Sequence, residues 1–524
     1  MTRRINVSNP EINQGGPQKR RRRGMTAREQ MKAKRAGAPT VNPAPPGPAG
    51  GQYKPLTDSQ VRQIYTTSLR MLEELGMGDS PEKLLAQALS CGAHINDLNR
   101  LCFPRAMVED VIDNACESFV FHGRDPNLTI EVGGKHVYFG TGGAAVQTLD
   151  LDDKLYRPST LKDLFGFTRL VDTLPNISWF TRCCVATDIP DIFELDVNTA
   201  YSILRGTQKP VGTNFTVGEH VDPIVDMFDA VAGGEGKFAE KPFCKAHISP
   251  IISPMRYGED AFEVALAGMR RGMPLNCITA AMSGATSPAT IDGMLAASFA
   301  ETLAALVMVN IFEPGYPMIF SNWPFVIDLR TGAFCGGGGE ISILNAGSAQ
   351  LANFIGVPSG VASSMSDAKA VDAQMGMEKA LSALACGLSG ANMVYESSGM
   401  MASLLGVSYE AFVIDNEMLS HVYRMIRGIE VSEDSMAFEA MKSVIIGEGH
   451  FLGETQTMEA MERDYYYPKL SDRLEPSAWA ESGATTIEQR ANLHVRDVLR
   501  NHHPEYIPKE VDRKIRSQFK ILID

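Results

Sequence analysis

The sequence has no stretch approaching the ~20 uninterrupted apolar residues that a membrane span requires. The longest apolar helical pattern, around Leu295 to Ile311, carries Glu301 and Asn310 and reads as a buried helix of a soluble domain. The basic N-terminus has no apolar h-region and does not read as a secretory signal. The nine cysteines show no CxxC pair, and the neighbours Cys183 and Cys184 cannot close an ordinary bridge. Thiols used as small apolar residues point to a reducing, cytoplasmic setting. The ten histidines are far apart, without an HExxH, so no metal centre is expected; a grouping of His247 with carboxylates is the one arrangement left open. No Ser/His/Asp or Cys/His constellation is visible, so no side chain is assigned a catalytic role as nucleophile or base. The glycine-rich "GTGGAAV" at Gly140–Val146 lacks the helix start and spacing of a dinucleotide loop, and reads as a turn at a sheet edge.

What is present is unevenly divided. Residues 1–55 carry 12 Lys/Arg against 2 Asp/Glu, including Lys19 and Arg20 to Arg23, and close in the Pro/Gly-rich "APTVNPAPPGPAGG". This segment reads as a disordered basic tail and linker, with a docking arm for an acidic partner as the alternative. The remaining chain is acidic, 37 Lys/Arg against 60 Asp/Glu, which argues against a nucleic-acid surface on the folded part.

From Thr57, a plausible N-cap, the stripe Val61, Ile64, Leu69, Leu72 and Leu75 predicts a helix. Two further helices and two short strands, "LTIEVGG" and "KHVYFGTG", follow, so residues 56–165 read as a helical cap with a small β element. Short apolar runs then recur at "ISWFTRCCVATD", "KPVGTNFTVG", "PFCKAHISPI", "PLNCITAAMSG", "PMIFSNWPF", "PSGVASSMSD", "ANMVYESSG" and "YEAFVIDNE", with helical stretches between most of them. Eight strand candidates alternating with helices predict an α/β fold, a (β/α)8 TIM barrel over residues 166–431. Residues 432–524 read as a C-terminal helical extension.

Barrels of this class build their sites at the C-terminal ends of the strands. There the runs end in aromatic and polar residues: Trp179, His247, Asn322, Trp323, Phe325, Asp367, Tyr395, Glu396 and Asp415. Aromatic faces attract a quaternary or protonated amine by about 0.5–2 kcal/mol per ring when water is excluded, and the carboxylates add negative field. Gly336 to Gly339 before Glu340 can bare backbone N–H groups, with Gly337 and Gly338 as candidates to hold a substrate carboxylate. Each has a packing alternative: Trp323 as a plug of the barrel top, His247 as a satisfied core histidine, the glycines as a flexible loop.

The segments "LTDSQVRQIYTTSLRMLEELGM", "FHGRDP", "NWPFVIDLRTGAF", "NAGSAQLANFIGVPS", "SDAKAVDAQMGMEKALSAL", "GHFLGETQTMEAMERDYYYPKLSDR" and "VLRNHHPEYIPKEVDRKI" resemble the trimethylamine methyltransferase family, from about Leu56 to the end. The resemblance implies a barrel that holds a methylated amine and presents one N-methyl group to the cobalt of a separate corrinoid protein, with no tightly bound cofactor of its own. The family's archaeal trimethylamine enzymes carry pyrrolysine in the barrel, and this chain contains none. Members without it look like enzymes for quaternary amines, with glycine betaine the best-known substrate. Trimethylamine, proline betaine and carnitine-like compounds stay open, as does a non-catalytic betaine-binding barrel. Barrels of this size commonly self-associate, so a homo-oligomer is expected.

Overall fold

The structure, a computed structural model, describes residues 42–447 and 449–523. Most of the expected tail, up to residue 41, lies outside the described residues. Residues 43–436 and 468–524 form one compact unit. The described residues of a second unit include the helices Phe438–Ile446 and Thr455–Arg463.

Eight parallel strands close on themselves in chain order. They are β1 (Tyr138–Phe139), β2 (Phe180–Thr181), β3 (Val211–Thr213), β4 (Cys244–Ile248), β5 (Leu275–Thr279), β6 (Met318–Asn322), β7 (Ser359–Ala362) and β8 (Met393–Tyr395). β8 pairs with β1 through Met393↔Tyr138 and Val394↔Phe139. The ring closes where the Ser178 N–H, just before β2, donates to the Phe139 carbonyl at 2.8 Å. After each strand comes a helix: α1 (Leu161–Asp172), α2 (Ile192–Gly206), α3 (Val221–Ala232), α4 (Glu259–Arg270), α5 (Ile291–Asn310), α6 (Gly339–Ile355), α7 (Ala373–Ser389) and α8 (Tyr409–Arg427). This is a (β/α)8 barrel.

Two strand assignments differ from expectation. "YEAFVIDNE" is the first half of α8, whose Ser408 N-cap accepts the Ala411 N–H at 3.3 Å. The run Phe412-Val413-Ile414 is apolar on both sides because α8 lies between the barrel and the helix Ile487–Asn501, and a doubly buried helix imitates a buried strand over a short window. The missing strand is the first one, in "KHVYFGTG". The barrel therefore begins at Tyr138, inside the 56–165 segment read as a cap, and its last helix ends at Arg427. Before it stand the helices Asp58–Arg70, Glu82–Ser90 and Arg105–Asn114. The first opens with a Thr57–Gln60 capping box and rests on α5, where Ser68 Oγ donates to the Ala296 carbonyl at 2.8 Å. α5 itself is long and apolar enough to cross a membrane by composition, yet 17 of its residues are buried within the fold. Its Glu301 is held by Ser253 Oγ at 2.6 Å and the Met255 N–H at 2.8 Å.

The barrel interior is filled in part by polar side chains, and glycines make room for them. By register and alternation, Thr181, Gly212, Lys245, His247, Asn276, Ser321 and Tyr395 face inward. A Cβ at Gly212 would come within 2.6 Å of both Lys245 Nζ and Thr181 Oγ1, and one at Gly360 would run into Ser321 Oγ. The C-terminal extension is pinned by polar contacts. Glu417 of α8 accepts the amide N–H groups of Lys469, Leu470 and Ser471 at 2.5–2.8 Å, which places "PKLSDR" on the barrel wall. Arg169 of α1 donates to the carbonyls of Leu499 and His502.

Residues 43–53, expected as linker, are ordered against the N-terminal end of the barrel. The N–H groups of Gly47, Gly50 and Gly51 donate to the carbonyls of Val137, Lys135 and Leu388 at 2.8–3.0 Å, and Arg427 Nη1 donates to the Pro43 carbonyl at 2.8 Å. Proline lowers the entropy that ordering this segment removes. Glycine is needed for close approach: a Cβ at Gly50 would lie 2.5 Å from Gly390 Cα. Gly50→Val is therefore expected to cost about 1–3 kcal/mol through overpacking, read as a lower melting temperature. An unchanged melting temperature would show that this segment lifts off freely.

Candidate functional site

At the C-terminal end of the barrel three aromatic rings meet. Trp323, one residue beyond β6 and on the same face as Ser321, has its ring centroid 5.3 Å from that of Tyr395 and 5.6 Å from that of His247. His247 and Tyr395 are 5.5 Å apart. All three are buried, with Trp323 5% exposed. Such centroid separations suit tilted aromatic packing, so the trio forms one rigid wall drawn from β4, β6 and β8. Phe325 continues it outward, 6.2 Å from Trp323 and edge-on to Phe334 at 4.9 Å. Phe334 belongs to the hairpin Val326–Ile327/Phe334–Cys335 that follows β6.

His247 is neutral. Burial and the charges of Lys245 and Arg182 hold its imidazole well below the usual histidine range. Its tautomer follows from its neighbours: Ser321 Oγ donates to Asn276 Oδ1, so Asn276 Nδ2 is the donor to His247 Nδ1 at 2.9 Å. The ring proton then sits on Nε2. Beneath the trio, Lys245 Nζ donates to Thr181 Oγ1 at 2.8 Å and lies 4.8 Å from the Tyr395 ring centroid. Burial depresses its ammonium to about 7.

Glu396 follows β8 and has a left-handed backbone, φ +61°, as does Ser364 after β7, φ +65°. Non-glycine residues in this region are uncommon and cluster at sites where the surroundings impose them. The Glu396 carboxyl lies over the loop after β1, where a Cβ at Gly143 would come 2.5 Å from Oε2. This explains the "GTGG" run. It is the loop that closes β1 onto β2 and β8, not a turn at a sheet edge. Burial pushes Glu396 up to about 8, against the opposing fields of Lys379 and Arg182.

Buried polar atoms normally have partners, yet several without one among the described residues gather at these strand ends. They are Arg182 Nε, Asn214 Oδ1, Trp323 Nε1, Ser363 Oγ, Ser364 Oγ, Glu396 Oε2 and Ser398 Oγ. Donors, acceptors and an aromatic wall converging at the C-terminal face of a barrel are the makings of a binding site. A cavity of about 480 Å³ lined by Tyr53, Arg62, Lys135 and Phe354 opens at the other end, where Val357 and Ser389 precede β7 and β8, and lies outside this site.

Other expected site residues have different places. Asp367 accepts from the N–H groups of Gly336 (2.6 Å) and Gly337 (3.2 Å) and from Ser403 Oγ (2.7 Å). The first two amides of the glycine run therefore cradle a carboxylate of the chain itself. Gly337 is also pressed against the Glu378 carboxylate, and Gly338 is the N-cap of α6. Asp415 lies on α8, not at a strand end, and pairs with Lys379 Nζ at 3.0 Å, both side chains 1% exposed. Trp179 stands just before β2, not at its end. Its Nε1 donates to the Thr141 carbonyl at 3.2 Å, and its ring meets Tyr395 edge-on at 5.2 Å, so it props the aromatic wall from below. Asn322 faces away from the trio by alternation, its register partner Thr279 being bound to Thr302 of α5. Its amide is buried without a partner among the described residues. No group of three or more His, Cys, Asp or Glu able to hold a metal occurs among the described residues.

Arg182 and Lys245 were not singled out from sequence. Lys245 had a readable signal, since "CKAHIS" places it two residues before His247 on the same strand face. Arg182 in "FTRCCV" had none.

The family profile described as trimethylamine methyltransferase matches residues 20–520. The trimethylamine methyltransferase MttB of Desulfitobacterium hafniense is 32% identical over 463 residues, covering 88% of this chain and 92% of that protein. The glycine betaine methyltransferase of Desulfitobacterium hafniense is 30% identical over 467 residues, covering 89% and 96%. The crystal structure of the Methanosarcina barkeri monomethylamine methyltransferase aligns with a TM-score of 0.46 at 13% identity, covering 91% of this chain and 98% of that one.

The neutral state of Glu396 can be tested by pH. Its folded value lies above its ordinary one, so the folded state holds a proton that the unfolded chain releases. That contribution to stability is present below the usual glutamate range and is lost as pH rises toward about 8. Glu396→Gln, which mimics the neutral form, is expected to match the parent in denaturant unfolding at pH 5 and to become relatively more stable by pH 9. A constant difference across that range would show Glu396 to be ionised throughout.

Proposed function

The chain belongs to the trimethylamine methyltransferase family and is a methyltransferase of the methylamine and betaine type, and from that premise we propose that it moves an N-methyl group from a quaternary amine, with glycine betaine the preferred substrate, to the corrinoid of a separate protein. The observation that carries the reading is the aromatic wall of His247, Trp323 and Tyr395 at the barrel mouth. Ring faces attract an N-methylated cation by their quadrupole, most strongly when water is excluded.

The reduced cobalt of the partner supplies the nucleophile, so this chain's side chains have to position and shield. The wall orients the trimethylammonium group so that one methyl points out of the mouth, along the line of attack. As the C–N bond breaks, the nitrogen keeps the electron pair and leaves as a neutral tertiary amine. No proton is needed at that step, which suits a mouth whose imidazole and carboxyl are both held neutral by burial. The hairpin after β6, with Phe325 and Phe334, helps keep water from the reacting methyl. Trimethylamine is the second reading, favoured by the named activity of the relative MttB.

Incubation of the full chain with a cobalt(I) corrinoid protein and glycine betaine is expected to yield dimethylglycine by mass spectrometry. Dimethylamine from trimethylamine in its place would favour the second reading, and binding without product would make the barrel a binder only. Trp323→Ala is expected to weaken betaine binding by about 1–2 kcal/mol. Trp323→Phe should recover part of that loss and Trp323→Leu none, because leucine keeps apolar volume without a quadrupole. Equal behaviour of Phe and Leu would make Trp323 a packing residue.

A further inference from the structure

Arg182 has no role in the packing described above. It follows Thr181 at the end of β2, where its backbone N–H donates to the Gly212 carbonyl at 3.3 Å. Its Nε is buried without a hydrogen-bond partner, and its guanidinium makes no ion pair among the described residues. Of the carboxylates whose fields reach it, Asp196 is bound by His220 Nδ1 at 2.7 Å and by Thr216. Glu396, also within reach of its field, is the group that burial keeps neutral. A guanidinium whose Nε is shut off from water and which has no paired counter-charge is unfavourable unless something outside the chain supplies one. Its planar fork of donors fits a carboxylate with two parallel hydrogen bonds.

The position matters as much as the charge. Going round the barrel, the strand ends run β8, β1, β2, β3, so Arg182 is flanked by Glu396 and the Gly142–Gly143 loop on one side and by Asn214 on the other. Asn214 Nδ2 donates to the His247 carbonyl at 2.8 Å, leaving Oδ1 without a partner. Arg182 also acts on His247 of the aromatic wall, whose proton affinity its charge lowers. One mouth therefore offers ring faces for an N-methyl cation and, in the next sector, an uncompensated cation for an anion. The glycine amides that sequence suggested for a carboxylate already hold Asp367.

We infer that Arg182 is the receptor for the substrate carboxylate and the residue that makes this barrel select zwitterionic methylated amines over bare methylated cations. The inference rests on the methylated-amine reading above and names the group that sets its specificity. A substrate lacking the carboxylate would leave the guanidinium unpaired and place a second positive charge beside it, so it is disfavoured twice.

The test is calorimetric titration of the full chain with glycine betaine and with tetramethylammonium, the cation alone. The parent chain is expected to bind betaine more tightly. Arg182→Met should lower betaine affinity about 100-fold, the loss of a charge-assisted pair, while tetramethylammonium binding stays the same or improves. Arg182→Lys, which keeps the charge without the fork, should recover part of the betaine affinity. The melting temperature of Arg182→Met without ligand should equal or exceed that of the parent, because an unpaired, partly buried charge has been removed. If that variant does not fold, Arg182→Lys read on the same two ligands gives the same discrimination. Equal losses for both ligands, or equal affinities of the parent for both, would overturn the role of Arg182. A parent chain that binds neither would overturn the methylated-amine reading itself.

Discussion

The buried pair of Lys379 and Asp415 holds the site together. Lys379 Nζ reaches Asp415 at 3.0 Å and donates to the Ser364 carbonyl at 2.8 Å, and Asp415 in turn accepts the Gly399 N–H at 2.8 Å. One ion pair thus ties α7 to α8 and fixes the segments that follow β7 and β8. Those segments carry the two left-handed residues, Ser364 and Glu396. Removing one partner of a buried pair costs about 3–5 kcal/mol, because the other charge stays behind uncompensated. Here it would also release the backbone that aims Glu396 at the Gly142–Gly143 loop.

The same logic governs the barrel interior. A closed eight-stranded barrel has a fixed small volume that side chains must fill, and here it is filled partly by Lys245, Asn276 and Ser321. They are accommodated because Gly212 and Gly360 lack the Cβ that would collide with them. The chain Ser321–Asn276–His247 then fixes the imidazole's tautomer, and burial, helped by the charges of Lys245 and Arg182, keeps it from taking a second proton. The aromatic wall therefore presents neutral ring faces to the mouth, as attraction for a permanent cation requires.

Polar groups at the mouth divide into those the chain satisfies and those it does not. Asp367, Asp415 and Asp196 are all bound by neighbouring N–H or hydroxyl donors, and they order loops. Arg182, Asn214, Glu396, Ser363, Ser364 and Ser398 keep unpartnered atoms. The division separates scaffold from site more sharply than residue type does, since carboxylates fall on both sides of it. It also explains why Glu396, alone of the three carboxylates expected from sequence, remains a candidate for contact with a ligand.

Sequence alone determined the class of fold, the strands β2 to β8 and the Trp323 and Tyr395 strand ends, because apolar runs alternating with helical stripes are local patterns. It also determined the family, through long segments whose order persists. It misread the first half of α8 as a strand because that half is buried on every side and shows no stripe, and it placed the strand in "KHVYFGTG" in the cap because two residues of strand carry no sign of what they pair with. It read residues 43–53 as a linker because their composition holds no apolar anchor. Only the tertiary structure decided that their glycines fit against Gly390, that Asp367 and Asp415 are bound by partners within the chain, and that Arg182 stands without an ion-pair partner among the described residues. Pairing of charges depends on which side chains meet across a closed barrel, and residues more than 200 positions apart in the chain, such as Arg182 and Glu396, become neighbours only when the last strand closes against the first.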